Sequence, residues 1–495
     1  MWYQASGKLG HATSSDGIFW SKDLNNPVLV PSQSFDNNFI DQPSVLRING
    51  EYKMWYTGTS GGIGQIGYAS EPVPSPLPTP TTSGPNPVVV IPGFGGSFSE
   101  KALIEKKDTI QSDWMMMPVK APDIYNPFLS VLQTSFYLRP DKVFFFAYDF
   151  RKSIDYSAGW LNAYLRDVVQ PANGGNKADV VGHSMGGLVA RYCFEMISDC
   201  KERIEHIVTA GTPHQGAVDD YFFWEGADFK GLDTLSKYGA KLLLHLDGFP
   251  KWNEVEIIQN DFVGARDFMP VFEYIANNPY ANLTIGKNPM LDTTLLLISS
   301  DFKSKTFTLS GNMPNSTSRL LTVSTPSKKE TENGYWLDGD PTVIEKGIGD
   351  GTVLEFSSKI DGASKTEHYN LNHIQYLNTT APVTDIFSFL GLPLIGSLSN
   401  ILTGPAAIIY SDNPSLSILV GAGKGETISQ PNQNVVFVVN STKSTNRQVG
   451  LYSANGGDYL VSGWYTDDKD NDSLAEPVKV ILNPGEKRVI NLQFN

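Results

Sequence analysis

The chain has 495 residues and a mass of 54.3 kDa, about three times a common single domain of ~150 residues, so two or three domains are expected and one small domain is excluded. Apolar residues make up 40%, aromatics 11% and charged residues 18%, enough to bury a core and too little charge for a disordered chain. Lys and Arg total 38 against 52 Asp and Glu, a net charge of -14, which disfavours nucleic acid and anionic membranes as partners.

The first seventy residues carry an internal repeat. Met1-Trp-Tyr followed by Leu9-Gly-His-Ala matches Met54-Trp-Tyr followed by Ile66-Gly-Tyr-Ala, with a period of 53 residues. Pro43 to Ile48 and Tyr52 to Tyr56 read as paired strands around the Asn49-Gly50 turn. With Ser14 to Ser21 and Asp41-Gln-Pro-Ser, the segment resembles blades of five-bladed propellers found in glycoside hydrolases and phosphorylases. That resemblance implies a partial β-propeller over residues 1–70 and a reading frame truncated at its start, since the repeat begins at residue 1. Asp16 and Asp41 read as turn residues in preference to sugar-site carboxylates. Glu71 to Pro87 holds seven prolines in seventeen residues, the composition of a semi-rigid linker over 71–86.

From Pro87, short apolar runs alternate with amphipathic stretches, which predicts an α/β fold with a parallel sheet covered by helices over 87–395. The expected strands are Val88 to Ile91, Val143 to Tyr148, Asp179 to Gly182, Ile204 to Ala210 and Leu320 to Val323. The stretch 218–319 lacks that alternation and reads as a helical cap; its apolar segments Tyr221 to Trp224 and Leu242 to Leu244 suit a hydrophobic ligand. Residues 405–495 change to strand patterns, expected as a β-sandwich. Cys193 and Cys200 read as one helix, where they would lie about 10 Å apart, too far for a disulfide. Ile386 to Ser411, broken by Pro393 and Pro405, reads as a helix end and linker and not as a stable membrane span. No secretion signal opens the chain. Asp468 to Asp472 lacks the glycine of a calcium loop and reads as a solvated turn, so no metal and no cofactor is expected.

Gly182-His183-Ser184-Met185-Gly186 follows an apolar strand and precedes an amphipathic helix, the strand, turn, helix context of a nucleophile elbow. A serine hydroxyl needs a base held by a carboxylate, in the order Ser, acid, His for this architecture. Of seven histidines, only His368 and His373 follow a suitable acid, and His373, in a loop opening a helix, is preferred to His368 in a strand-like segment. The acid is Asp350 in Gly349-Asp-Gly-Thr-Val. Oxyanion stabilisation needs two backbone N–H groups, one from Met185 and one from Phe94 or Gly95 in the loop Pro92-Gly-Phe-Gly-Gly-Ser97. That loop lacks the lysine and spacing of a nucleotide site.

Five segments, in order, resemble α/β-hydrolases of the lecithin:cholesterol acyltransferase type. They are Pro87 to Ser97, Phe146-Ala-Tyr-Asp-Phe-Arg, Val180 to Arg191, Thr209-Ala-Gly-Thr-Pro-His-Gln-Gly and Gly349 to Val353. The resemblance implies Ser184, Asp350 and His373 as a triad, with Phe94 and Met185 as oxyanion donors. It further implies that Asp149 and Arg151 help order the site, and Phe150 stands where that family usually has Trp.

These readings point to a serine lipase, esterase or O-acyltransferase acting on lipid or other hydrophobic esters through an acyl-enzyme. The alternatives are a carbohydrate-binding or carbohydrate-processing protein, with polysaccharide or cell-surface contact through the flanking domains, and a serine peptidase on the same scaffold. Extracellular or cell-surface placement is expected, with a reduced cytosol still open. The -14 charge leaves the hydrophobic cap, and not electrostatic docking, as the route to substrate.

Overall fold

The computed structural model describes residues 2–13, 21–22, 26–48, 51–71, 85–103, 107–118, 120–136, 139, 141–229, 254–276, 288, 290–294, 297–398, 406–411, 415–420, 427–429, 435–439, 446–466 and 472–494. The chain divides into two compact units, Met1–Gly84 and Pro85–Asn495. Asp16, the Asn49-Gly50 turn, most of the proline-rich linker, Leu242 to Leu244 and most of Asp468 to Asp472 lie outside the described residues.

The first unit holds β1 (Trp2–Ala5), β2 (Lys8–Thr13), β3 (Ser21–Lys22), β4 (Phe39–Ile48), β5 (Glu51–Ser60) and β6 (Ile63–Glu71). They form two antiparallel three-stranded sheets, β1-β2-β3 and β4-β5-β6. The sequence repeat is a repeated hairpin in one register. Trp2 faces His11 and Tyr3 faces Gly10, as Trp55 faces Tyr68 and Tyr56 faces Gly67. The glycine is needed in each copy because the tyrosine ring lies over it; a Cβ would sit 2.6 Å from the Tyr3 ring and 2.3 Å from the Tyr56 ring. No propeller is seen among the described residues, which corrects the blade expectation: a propeller closes a ring of four or more four-stranded blades, and this unit has two sheets of three. Asp41 lies in β4 opposite Thr57 and not in a turn.

The second unit is built on β7 (Val88–Ile91), β10 (Val143–Phe145), β11 (Ala178–His183), β12 (Ile204–Ala210), β13 (Thr306–Gly311) and β16 (Lys365–Tyr369). Two short strands, β8 (Ser97–Phe98) and β9 (Met115–Met116), pair with each other beside it. The six strands are all parallel in the order β10-β7-β11-β12-β13-β16. Continuous apolar runs suit strands covered on both faces, and every residue of β7 and β11 is buried. The chain runs from β7 out to β10, then returns past β7 to β11 and proceeds the other way. The reversal opens a crevice beyond the carboxyl ends of β7 and β11, where ligands bind in open α/β sheets.

One expected core strand is displaced. Leu320 to Val323 belongs to β14 (Met313–Ser324), which pairs antiparallel with β15 (Asp340–Gly349) as an arm outside the central sheet. The core strand is β13, inside the stretch read as a cap. Its sequence Thr-Phe-Thr-Leu-Ser-Gly imitates a half-exposed strand, yet all six residues are buried. The hydroxyls are satisfied internally: Thr306 Oγ1 donates to the Phe302 carbonyl at 2.6 Å, Thr308 Oγ1 to Thr366 at 3.0 Å, and Ser310 Oγ meets His368 Nδ1 at 2.7 Å.

After the helix Thr380–Phe389 the chain forms antiparallel sheets. The strands are β17 (Ala406–Ser411), β18 (Leu416–Leu419), β19 (Thr427–Ser429), β20 (Val435–Val439), β21 (Asn446–Ser453), β22 (Gly457–Thr466), β23 (Asp472–Leu474), β24 (Val478–Leu482) and β25 (Lys487–Gln493). One sheet runs β19-β20-β17-β22-β23 with β24 also on β22, and the other β18-β21-β25. Their inner faces share a core of their own, including Ile409, Ile418, Val449, Val461 and Leu492. Ile408, Tyr410 and Trp464 pack into the core of the parallel sheet instead. Among the described residues no helix is long and apolar enough to cross a membrane.

Cys193 and Cys200 form a disulfide with their Cα atoms 5.7 Å apart, against the expectation of separated thiols. The helix Met185–Met196 stops three residues after Cys193; Ile197 is extended, and the turn that follows carries Cys200 back beside it. Closing so short a loop restricts the unfolded chain by about 2–3 kcal/mol. Cys193→Ala with Cys200→Ala is therefore expected to lower the free energy of unfolding by that amount. Urea denaturation with and without reductant measures it, and the double variant should be insensitive to reductant.

Candidate active site

Ser184 occupies the turn between β11 and the helix Met185–Met196 with φ 53° and ψ −124°, a conformation costly for a residue with a side chain. The turn is held from both sides: Ser184 N–H donates to the Ala210 carbonyl at 2.9 Å, and Gly187 N–H to the Ser184 carbonyl at 3.0 Å. Gly186 must lack a side chain, since a Cβ there would lie 2.3 Å from the Ile91 carbonyl oxygen. Met185 is the buried first residue of the helix, and an N–H in the first turn has no intrahelical acceptor.

Asp350 follows β15 in a turn that folds back over the end of the sheet. Its Oδ1 accepts from the Val353 and Thr352 N–H groups at 2.7 and 3.0 Å. Its Oδ2 lies 2.9 Å from His373 Nδ1 and accepts the Tyr376 hydroxyl at 2.9 Å. The backbones are tied as well, His373 N–H donating to the Asp350 carbonyl at 2.9 Å. Burial pushes the carboxyl up, but His373 and the two backbone N–H groups outweigh it and hold Asp350 below the ordinary carboxylate range. Of the two candidate histidines, the structure puts His373 against Asp350. His368 sits in β16, with Nδ1 on Ser310 and 3.3 Å from Glu355.

Residues without a role in the sequence reading complete this corner. Tyr376, three residues beyond His373, is fully buried against the carboxylate. Gly211, at φ +60°, brings bare backbone to the pair; a Cβ would sit 3.0 Å from both Asp350 Oδ2 and His373 Nδ1. Sequence offered only proximity for the first and the Thr-Ala-Gly-Thr-Pro segment for the second.

The loop after β7 approaches Ser184 closely, so that a Cβ on Gly93 would be 2.9 Å from the serine Cβ. Phe94 is buried at the centre of an aromatic cluster, with Phe150 at 4.9 Å, Phe223 at 5.8 Å and Phe262 and Phe268 at 6.0 Å between ring centroids. Asp149 and Arg151 form a two-pronged ion pair, Nε to Oδ1 and Nη2 to Oδ2 both at 2.8 Å. That clamp shapes the turn carrying Phe150, which is fully buried edge-on to Phe94.

A cleft opens at Ser184, walled by Phe94, Phe223 and Phe268 with Thr352 and Val353 on the Asp350 side. Phe223 comes from the helix Asp220–Gly226, within the expected cap segment Tyr221 to Trp224. Asp219 and Asp220 also line it. Burial, opposed by a bond to Ser318, pushes the Asp219 carboxyl up to about 7, and burial with Asp267 and Asp219 nearby pushes Asp220 well above the usual range. Asp267 is raised by burial to about 6. Acids raised on folding stabilise fully below their ordinary value near 4, and the contribution is lost as pH rises through the folded value. For Asp219 the loss between about pH 4 and 7 is on the order of 4 kcal/mol. Melting temperature is expected to fall from pH 5 to pH 8, and Asp219→Asn to flatten that fall in scanning calorimetry.

Comparison with known proteins assigns part of this architecture. Residues 82–224 match the family described as the PGAP1-like alpha/beta domain. This PGAP1-like segment contains β7, the Phe94 loop, the Asp149–Arg151 turn and the Ser184 elbow, and it supports an α/β-hydrolase assignment over that span. Asp350 and His373 lie beyond it. The uncharacterized protein YJR098C of Saccharomyces cerevisiae is 36% identical over 70 residues, 14% of this chain and 10% of that protein. The match thus spans about a tenth of that relative's length. Among solved structures, a Tle4-Tli4 complex chain aligns at 14% identity and TM-score 0.42, covering 62% of this chain and 99% of that one. The Bacillus licheniformis lipase BlEst2 in mature form aligns at 14% identity and TM-score 0.34, covering 62% and 92%. Phospholipase PlaB from Legionella pneumophila aligns at 11% identity and TM-score 0.31, covering 78% and 91%.

Proposed function

We propose that this protein is a serine hydrolase or O-acyltransferase that cleaves hydrophobic carboxylic esters through an acyl-enzyme on Ser184. The observation that carries the reading is the buried His373–Asp350 pair at 2.9 Å, together with a serine held at positive φ whose cleft is also lined by Thr352 and Val353 from the Asp350 turn. In this reading His373, fixed by Asp350 in the tautomer with its proton on Nδ1, takes the Ser184 proton as Oγ attacks the ester carbonyl. The oxyanion is held by the Met185 and Phe94 N–H groups, the first at a helix N-terminus and the second in the loop pressed against Ser184. The alcohol leaves with the proton returned by His373, and water or a second alcohol takes the acyl group by the reverse path. The phenylalanine-walled cleft supports an apolar acyl or alcohol group as the bound part of the substrate.

The Cys193–Cys200 disulfide supports an oxidising compartment, hence an extracellular or cell-surface protein. The antiparallel sheets of 405–495 have a core of their own and are read as an accessory domain. The test is covalent labelling by a fluorophosphonate of wild type and Ser184→Ala, followed by a screen of acyl chain lengths with and without an alcohol acceptor. Labelling that survives in the variant, or proteolysis without ester cleavage, overturns the reading.

A further inference from the structure

Helix Ala121–Ser135 carries none of the motif residues, yet it reaches the elbow through Tyr125, a fully buried side chain. Its hydroxyl oxygen accepts the Gly93 N–H at 2.9 Å and lies 2.9 Å from His183 Nδ1. The other ring nitrogen of His183, Nε2, lies 2.9 Å from the His373 carbonyl oxygen. The bond directions follow once His183 is taken as a neutral imidazole. A carbonyl only accepts, so His183 Nε2 carries the proton; Nδ1 then has a lone pair, and Tyr125 must donate to it. The tyrosine oxygen keeps a lone pair for the Gly93 N–H. The ring of His183 also packs against that of His373, centroids 5.0 Å apart.

A second tie joins the same helix to the same histidine segment. Pro127 sits inside the helix and has no N–H for the Asp123 carbonyl four residues earlier. Asn378, five residues past His373, donates its side-chain amide to that carbonyl at 3.2 Å. The helix thus grips the His373 segment at Asn378 and, through Tyr125 and His183, at His373 itself.

We propose that Tyr125 and His183 are positioning residues that hold the Gly93–Phe94 loop, the Ser184 turn and the His373 loop in one register. Each of these loops leaves a different strand, and the Gly93 loop already lies against Ser184. The Tyr125–His183 chain crosses all three. The proposal rests on the serine-hydrolase reading and adds to it which groups keep oxyanion donor, nucleophile and base aligned.

The test uses the full chain and p-nitrophenyl butyrate. Tyr125→Phe keeps the ring and removes the hydroxyl. Since misplacement by ~1 Å costs about 100-fold, kcat is expected to fall about 30- to 100-fold with KM within about twofold. The fluorophosphonate labelling rate of Ser184 should fall in parallel. His183→Gln offers an amide N–H toward the His373 carbonyl and is expected to retain much more kcat than His183→Leu, which has no donor. A purely structural role would lower melting temperature without splitting kcat from KM and without rescue by glutamine. Wild-type kcat in Tyr125→Phe overturns the proposal, as does equal loss in the glutamine and leucine variants. Should Tyr125→Phe not fold, the His183 pair decides alone. Wild type that labels at Ser184 while the variants match it refutes the positioning role only; wild type that does not label refutes both readings.

Discussion

Ser184→Ala is expected to fold as wild type and to lose ester cleavage by about 10⁶-fold in kcat. Folding survives because the strained φ of 53° is imposed by the packing around the turn and not by the hydroxyl. The Ala210 and Gly187 bonds and the close approach of Gly186 to Ile91 remain when Oγ is removed. Rate is lost because the hydroxyl that would attack the carbonyl carbon is gone. What survives is binding in the phenylalanine cleft and whatever the Phe94 and Met185 N–H groups contribute, a residue of catalysis expected at about 10³-fold over water. Single-turnover kinetics with a chromogenic ester checks both parts, since the variant should release no burst. A variant with wild-type turnover would move the nucleophile elsewhere.

How much of this was legible before the fold depended on the range of the signal. β7 coincides with the apolar run Val88–Ile91, because a strand buried on both faces favours apolar residues at every position; β12 coincides with Ile204–Ala210, where Glu205 and His206 are half-buried and the rest is buried. The elbow was legible because its glycine, serine and strand-to-helix context lie within a few residues. β13 was hidden because threonine and serine hydroxyls, bonded across strands, mimic a solvent face. The disulfide was hidden because helical periodicity does not announce the break after Met196. The hairpin repeat of residues 1–70 is real at the level of register, while ring closure is a property of many blades and could not be read from two. Tyr125, His183 and Tyr376 were missed for one reason: their roles are hydrogen bonds to partners 58, 190 and 26 residues away. No local pattern carries such a bond.

The second large effect falls on the acid. Asp350→Asn is expected to reduce kcat about 10⁴-fold with the backbone geometry intact. The Val353 and Thr352 N–H groups can still bond to the asparagine Oδ1, so the turn has the same anchors. The change falls on the other side of the group. Oδ2 now becomes an amide nitrogen, a donor facing His373 Nδ1 and the Tyr376 hydroxyl. To accept that donor, Nδ1 must give up its proton, and His373 turns to the tautomer with its proton on Nε2. A base whose working nitrogen already carries a proton cannot take one from Ser184. Loss of the carboxylate also leaves no charge to stabilise the imidazolium formed during attack. The activity left in Asp350→Asn is therefore expected to rise steeply with pH, as hydroxide substitutes for the missing base. Tyr376→Phe separates the two contributions: it keeps the carboxylate and the His373 tautomer, and its loss should be about 10- to 150-fold, the scale of one charge-assisted hydrogen bond of about 1.5–3 kcal/mol. Rate-against-pH profiles of the two variants measure this. Equal losses in both would mean that Asp350 acts by holding the Tyr376–His373 segment in place and not by setting the proton on His373.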